Sequence, residues 1–332
     1  MGISPAMGLA MVLFTTFLWG SWSQFVKKLG DFPIPAFILW LYFSGFVIIS
    51  FSMIFLKGTF FPEGAVAMIR KLPAKCLLVF VCGATYSIGT QLSMSVVKKA
   101  GIIFQTSINA MLTIPIGCTV SSILGGIPEN VSVFQIVLGV MLLIIATVLG
   151  QKSTRMRDAD NGIPINEGSA DRRKYIIILI CCAVFFAPTY TIALSIGTRP
   201  ENGIRLPSPL LVWILSAGSL IGTAIFSSVR LSKMNGWRYV FGFKQYRSQI
   251  AYSCLAGLFH YGGNLIHTIA SPIVSVAIAW PLGYLSTIWQ YFWGLVRGEY
   301  KGAHRKTMLT LFAGIFFFIC ALITLASALY WR

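Results

Sequence analysis

The chain consists of long apolar runs, each of about 20 residues, which are separated by short polar segments. Ten such runs occur, at residues 7–26, 35–56, 76–97, 102–124, 131–150, 175–197, 208–229, 249–270, 273–296 and 307–330. About 20 apolar residues suffice for one helical crossing of a bilayer. The pattern therefore predicts an all-α membrane protein with ten transmembrane helices, numbered spans 1 to 10.

The composition agrees with this interpretation. Of the 332 residues, 56% are hydrophobic and only 11% are charged, whereas a soluble domain carries roughly 25% charged residues. We therefore expect a multi-pass integral protein of a bacterial inner membrane or a plasma membrane, and not a soluble domain.

The net charge of +17 follows the expected topology. Lysines and arginines accumulate in the cytoplasmic loops of membrane proteins. With ten spans, the odd-numbered loops hold 19 of the 26 basic residues, and the termini with the even-numbered loops hold 7. This distribution predicts that both termini lie outside the cytoplasm. It accounts for the basic charge without nucleic acid as a partner, and it leaves basic loops free to contact anionic membrane lipid.

A polar stretch at 151–174 separates a first group of five spans, within 1–150, from a second group within 175–332. Since five is odd, two similar halves would have opposite orientations and form an inverted repeat. Short similarities support this prediction. They pair "FLWGSWS" (17–23) with "FFAPTYT" (185–191), "YSIGTQLS" (86–93) with "HYGGNLIH" (260–267), and "TVSSILGG" (119–126) with "YFWGLVRGE" (291–299). The 151–174 stretch is then a cytoplasmic linker.

None of the nine acidic residues lies in the middle of a predicted span, and no lysine or arginine does. A charged substrate would therefore lack a buried counter-charge within the membrane. The sequence favours a small neutral polar solute as the binding partner.

Span 8 contains two of the three histidines. Spacings of four and three place His260, Asn264 and His267 on one helix face, which should meet water or the bundle interior. Histidine changes charge near neutral pH, so His260 and His267 are the candidate proton-coupling residues. The alternative is a structural histidine bonded to a neighbouring helix. Two histidines without a nearby carboxylate or thiolate make a poor metal site, and we predict no metal.

Aromatic and amide side chains recur in several of the predicted spans. Aromatic faces can cover the C–H surface of a sugar or stack on a planar heterocycle, and amides can bind hydroxyls or ring nitrogens. The aromatic residues could instead belong to the interfacial belts of the membrane. The predicted substrate-binding residues are Trp19, Trp22, Tyr86, Gln91, Asn109, Tyr190, His260, Asn264, Trp280 and Tyr284.

Four sequence segments resemble the drug/metabolite transporter superfamily: "WGSW" (19–22), "VKKLG" (26–30), "CGATYSIGTQLSMSVVKKAG" (82–101) and "GLVRGEYKGAHRKT" (294–307). Within it, the chain is most similar to the branch of the L-rhamnose–proton symporter and the glucose/ribose uptake transporters. The resemblance implies a five-plus-five inverted repeat, with a central cavity lined by spans 1–4 and 6–9. It also implies that Glu299 matches the glutamate that closes span 9 in the family.

These observations predict a secondary transporter of a monosaccharide such as rhamnose, glucose or ribose, which works by alternating access and could be coupled to protons. Alternatives are a transporter of nucleosides, nucleobases, ureide-like heterocycles or other metabolites, an uncoupled facilitator, a sodium-coupled carrier, and a membrane receptor or scaffold. No H-E-x-x-H motif, paired mid-span aspartates or Walker motif occurs. We therefore expect neither an enzyme, nor a primary pump, nor a bound cofactor.

Overall fold

The computed structural model describes residues 4–60, 64–100, 102–127, 129, 131–162, 170–201 and 203–328. These residues are almost entirely helical and include no β-strand. The helices are α1 (Pro5–Trp22), α2 (Ile34–Phe60), α3 (Ala65–Lys71), α4 (Pro73–Ala100), α5 (Ile102–Gly125), α6 (Val133–Asp160), α7 (Ala170–Cys181), α8 (Ala187–Thr198), α9 (Ser208–Lys233), α10 (Trp237–Phe241), α11 (Arg247–Val274), α12 (Val276–Gly283), α13 (Ser286–Val296) and α14 (Arg305–Ser327).

Within this described part, eight helical segments are long and apolar enough to cross a membrane. They are Pro5–Lys28, Ile34–Leu56, Pro73–Lys99, Phe104–Gly125, Val133–Asp160, Arg173–Thr198, Ser208–Lys233 and Arg305–Ser327. The expectation of an all-helical, multi-pass membrane protein is confirmed at this level. The eight segments match eight of the ten runs in the sequence.

The other two runs, 249–270 and 273–296, take a different form. The first lies within α11, a 28-residue helix whose apolar character is diluted by glycines and by polar residues such as His260 and Asn264. The second is divided into α12 and α13. Ser275 ends α11 and separates it from α12, because its φ of 70° is in the left-handed region and cannot continue a helix.

Two further helices are irregular near the centre of the bundle. Between α7 and α8 the chain widens into one π-helical turn, Cys182–Phe186, just before Pro188. Proline has no N–H to donate to the preceding turn, and such irregular turns are common at functional sites. At the end of α1, residues Ser23–Lys28 tighten into a 3₁₀ helix.

The predicted polar linker, 151–174, begins inside a helix, because α6 continues to Asp160. Contacts with the last part of the chain hold this extension in place. Ser153 donates to the carbonyl of Thr307 at 3.2 Å, and the carboxylate of Asp160 accepts from the Thr307 hydroxyl at 2.5 Å. Residues 163–169 of the linker lie outside the described residues.

The main packed helix pairs are α6 with α14, α4 with α9, α1 with α11, α2 with α11, α2 with α9, α5 with α6, α4 with α8, α5 with α8, α1 with α13, and α5 with α12. Two of these pairs depend on glycine. A Cβ atom at Gly83 of α4 would collide with the carbonyl of Leu215 in α9, and one at Gly257 of α11 would collide with the carbonyl of Leu41 in α2. These helices therefore approach each other almost to backbone contact.

Candidate functional site

A cavity of about 180 Å³ lies inside the bundle, between the helices of the two halves. Its wall comes from the end of α1, from α4 and α5, from the π-helical turn before α8, and from α12 and α13. The peripheral pair α6 and α14 does not contribute to it. The volume is below the roughly 300–1,000 Å³ typical of sites for drug-sized ligands. The cavity therefore suits a small solute.

Aromatic rings form the apolar part of this wall. They are Trp22, Tyr86, Phe186, Trp280 and Tyr284. The ring of Trp280 packs edge-on against that of Tyr284, with centroids 5.5 Å apart. Apolar walls with a few polar groups are the usual construction of small-molecule sites.

The polar part of the wall consists of amides and hydroxyls, several of which bond to each other. Gln105 donates from Nε2 to Ser93 Oγ at 2.6 Å, and Thr106 donates to Gln290 Oε1 at 2.6 Å. Asn109 is different, because no hydrogen bond of its side chain to the described residues is found, although it is only partly buried and lines the cavity. Its amide is therefore available to a solute.

None of the described residues that line the cavity carries a charge. The lining also lies toward one end of the bundle. Trp22 and Ser23 precede Lys27 by one turn, and Met94 precedes Lys98 by one turn. The cavity is therefore uncharged and lies nearer the face that carries most of the basic loops.

His260 lies directly behind two of the cavity's aromatic rings. Its ring centroid is 5.0 Å from that of Trp22 and 6.0 Å from that of Tyr86. The residue is 3% exposed, and neither ring nitrogen has a hydrogen-bond partner among the described residues. An unpaired buried imidazole is costly to the folded state.

His267 has a contrasting environment, about two helical turns further along α11 from the basic face. Its Nε2 lies 3.1 Å from the carbonyl oxygen of Ala279, and since a carbonyl only accepts, Nε2 carries the hydrogen. Its Nδ1 is 3.3 Å from the hydroxyl of Tyr190 and 3.3 Å from that of Ser271, which itself donates to the His267 carbonyl. Both ring nitrogens therefore have partners, and the ring links α11 to α12.

A packed aromatic layer lies beside the cavity on the side of His267. Tyr190 and Trp280 have ring centroids 5.9 Å apart, and Trp19 lies 4.8 Å from the His267 ring. Trp19 also donates from Nε1 to Asn264 Oδ1 at 3.0 Å. These contacts pack α1, α8, α11 and α12 together on the side of the cavity away from the basic face.

The predicted site residues therefore divide into three groups. The first group lines the cavity and comprises Trp22, Tyr86, Asn109, Trp280 and Tyr284. The second group forms the layer behind it and comprises Trp19, Tyr190, His260, Asn264 and His267. Gln91 belongs to neither, because it is fully buried between α4 and α9 and accepts a hydrogen bond from Ser227 at 3.1 Å.

Sequence reasoning did not single out several lining residues, including Thr106, Phe186 and Thr287. Hydroxyl and phenyl side chains are common in membrane helices, so their type alone carried no signal. The Gln105 and Gln290 amides were a usable signal, since each lies near a span end and both reach the cavity.

A cluster of charged side chains lies at the basic end of the bundle. Glu299 forms an ion pair with Lys27, and its Oε2 lies 3.7 Å from Nη1 of Arg157. Arg297 donates to the carbonyl of Gln24 at 3.1 Å. The cluster thus connects the ends of α1, α6 and α13.

Neither a known family model nor a curated protein matches this chain. In the part of the chain that the structure describes, no group of three or more histidine, cysteine, aspartate or glutamate side chains could hold a metal ion.

Proposed function

We propose that this protein is a secondary transporter that carries a small neutral polar solute across the membrane by alternating access. The observation that carries the proposal is the cavity itself. It is formed by helices from both halves of the chain and lined by aromatic rings, amides and hydroxyls without a charge. A neutral solute with several hydroxyl or amide groups matches that lining.

An inverted repeat of five plus five spans is part of this proposal, with α11 as span 8 and the divided α12–α13 as span 9. The packing supports it. In the repeat, spans 1 to 5 correspond to spans 6 to 10, so a contact between two helices should recur between their counterparts. The α4–α9 contact recurs as α11–α2, and the α4–α8 contact recurs as α11–α1. The α6–α14 and α2–α9 contacts convert into themselves.

Individual residues follow the same relationship. Leu41 corresponds to Leu215, and Gly83 corresponds to Gly257, since 174 positions separate the two leucines and the two glycines alike. Gly83 closely approaches the carbonyl of Leu215, and Gly257 approaches the carbonyl of Leu41 in the same way.

The aromatic contacts near the cavity repeat in the same way. Trp22 packs on His260 in one half, at 5.0 Å, and Tyr190 packs on Tyr86 in the other, at 5.7 Å. In the aligned segments Trp22 corresponds to Tyr190, and His260 to Tyr86. This repetition is what an inverted repeat around a central site produces.

The orientation follows from the charges. We place both termini outside and the odd-numbered loops in the cytoplasm. The cavity then lies nearer the cytoplasm, and the layer around Tyr190, His267 and Trp280 closes the outer side. This conformation corresponds to an inward-facing state, and rearrangement of that layer would produce the outward-facing one.

The solute class is proposed from the resemblance to the rhamnose and glucose/ribose branch of the drug/metabolite transporters, together with the lining. A monosaccharide presents C–H faces to rings such as Trp280 and hydroxyls to amides such as Asn109. A planar nucleoside, nucleobase or ureide is the competing solute, because it would stack on the same rings.

A ligand screen distinguishes these solutes. The purified protein would be heated in detergent with neutral sugars, nucleosides, ureides and charged analogues such as sugar phosphates. We expect one neutral class to raise the unfolding temperature, and its charged analogue to have no effect. Stabilisation only by charged compounds, or by none of the compounds, would contradict a neutral-solute site.

A further inference from the structure

The connection between α9 and α11 forms a compact surface at the basic end of the bundle. Since α9 is one of the membrane-spanning segments and ends at Lys233, residues 233–247 lie at the membrane boundary. We call them the basic aromatic patch. The short helix α10 is inside it and packs near the start of α2, where Phe32 contacts Tyr239 and Tyr246, each with centroids 5.8 Å apart.

The patch carries positive charge without acidic residues. Lys233, Arg238, Lys244 and Arg247 are exposed, and no aspartate or glutamate occurs in the patch. Within the described part of the chain, none of these four side chains forms a salt bridge. Their charges are available to an anion outside the protein.

Large apolar side chains are exposed beside these charges. Phe241 is 67% exposed and Phe243 is 55% exposed. The ring centroid of Phe243 lies 5.6 Å from that of Trp40. Exposed phenyl rings next to basic side chains, at the boundary of a membrane, are typical of segments that insert into the headgroup region.

We propose that the basic aromatic patch binds anionic phospholipid of the adjoining leaflet. The phenyl rings of Phe241 and Phe243 enter the acyl boundary, and Arg238, Lys244 and Arg247 contact the phosphate and headgroup charges. The patch favours the bilayer over an acidic protein, because its exposed phenyl rings and its charges both lie within residues 233–247, directly after an apolar helix long enough to cross a membrane.

The test uses the full chain in detergent, titrated with phosphatidylglycerol or phosphatidylcholine, with bound lipid counted by native mass spectrometry. The charge variant is R238Q/K244Q, and K244Q/R247Q is a second version that keeps the Arg238–Tyr239 contact. The matched control is R70Q/R205Q, which removes two exposed charges at the other end of the bundle. Thermal unfolding without lipid checks that each variant is folded.

We expect the wild type and the control to prefer phosphatidylglycerol, and both charge variants to lose roughly 5- to 25-fold of that preference. F241S/F243S should weaken binding of both lipids without changing their ratio. An unchanged preference in the charge variants, or an equal loss in the control, would overturn the proposal. A wild type without any preference would overturn it too and would leave an acidic protein surface as the partner of the patch.

Discussion

The ring of His260 lies parallel to the ring of Tyr86, with 5° between their planes and 6.0 Å between their centroids. Tyr86 lines the cavity, and His260 lies behind it without a hydrogen-bond partner among the described residues. The two residues occupy matching positions of the proposed repeat. A displacement of Tyr86 or Trp22 would connect His260 to the cavity, so the pair lies where solute binding and proton binding could be linked.

The first prediction concerns this histidine. Glutamine keeps hydrogen-bonding capacity but does not titrate near neutral pH, so His260→Gln should abolish accumulation while exchange of solute survives. One proton crossing about 100 mV supplies roughly 2.3 kcal/mol, enough for roughly fifty-fold accumulation. Proteoliposomes with an imposed proton gradient measure the accumulation, and counterflow measures the exchange.

His267→Gln is the matched control. Both ring nitrogens of His267 have partners, so this change should lower the free energy of unfolding by about 1–3 kcal/mol and leave coupling in place. Full accumulation by His260→Gln would exclude this histidine as the proton carrier. Sodium held by neutral oxygens, or transport without coupling, would then become the better account.

The second prediction concerns the ion pair between Lys27 and Glu299. The two side chains are 33% and 18% exposed, so solvent screens them only in part. A double-mutant cycle with Lys27→Met and Glu299→Gln should give a coupling energy of about 1 kcal/mol in chemical denaturation. The same cycle with Lys28, which is exposed, in place of Lys27 should give none. Equal coupling for both lysines would show that the pair is not specific.

The third prediction concerns orientation. A cysteine replacing the exposed Ser4 should react with an impermeant thiol reagent added outside intact cells. A cysteine replacing the exposed Ala159, at the end of α6, should react only after permeabilisation. Ser153 is unsuitable as a reporter because it is fully buried. The wild type, with its native cysteines, gives the background. The reverse pattern of labelling would invert the topology.

The sequence predicted the helices well where apolar runs were long and uninterrupted, as in the span that became α9. It did not predict the positive φ of Ser275, which separates α11 from α12, because that conformation depends on packing. The second break, between α12 and α13, does have a local signal in Pro281 and Gly283. Asn109, with a free amide in the cavity, and Gln91, buried against α9, were equally plausible from the sequence. Only the rotation of α4 and α5 within the bundle separates them.

The central claim is that the uncharged cavity binds the transported solute, and Asn109 tests it most directly. Its side chain faces the cavity, and no hydrogen bond to the described residues is found for it. Asn109→Ala should therefore remove solute contacts worth about 1–3 kcal/mol without leaving a protein group unpaired. The matched control is Gln249→Ala, which removes an amide outside the cavity lining.

The decisive measurement is the concentration dependence of counterflow exchange in proteoliposomes, with the neutral solute that most stabilises the wild type. We expect Asn109→Ala to weaken the apparent affinity roughly 5- to 100-fold, and Gln249→Ala to match the wild type. Wild-type affinity in a folded Asn109→Ala protein, or no exchange of any neutral solute by the wild type, would contradict the claim that this cavity is the transport site.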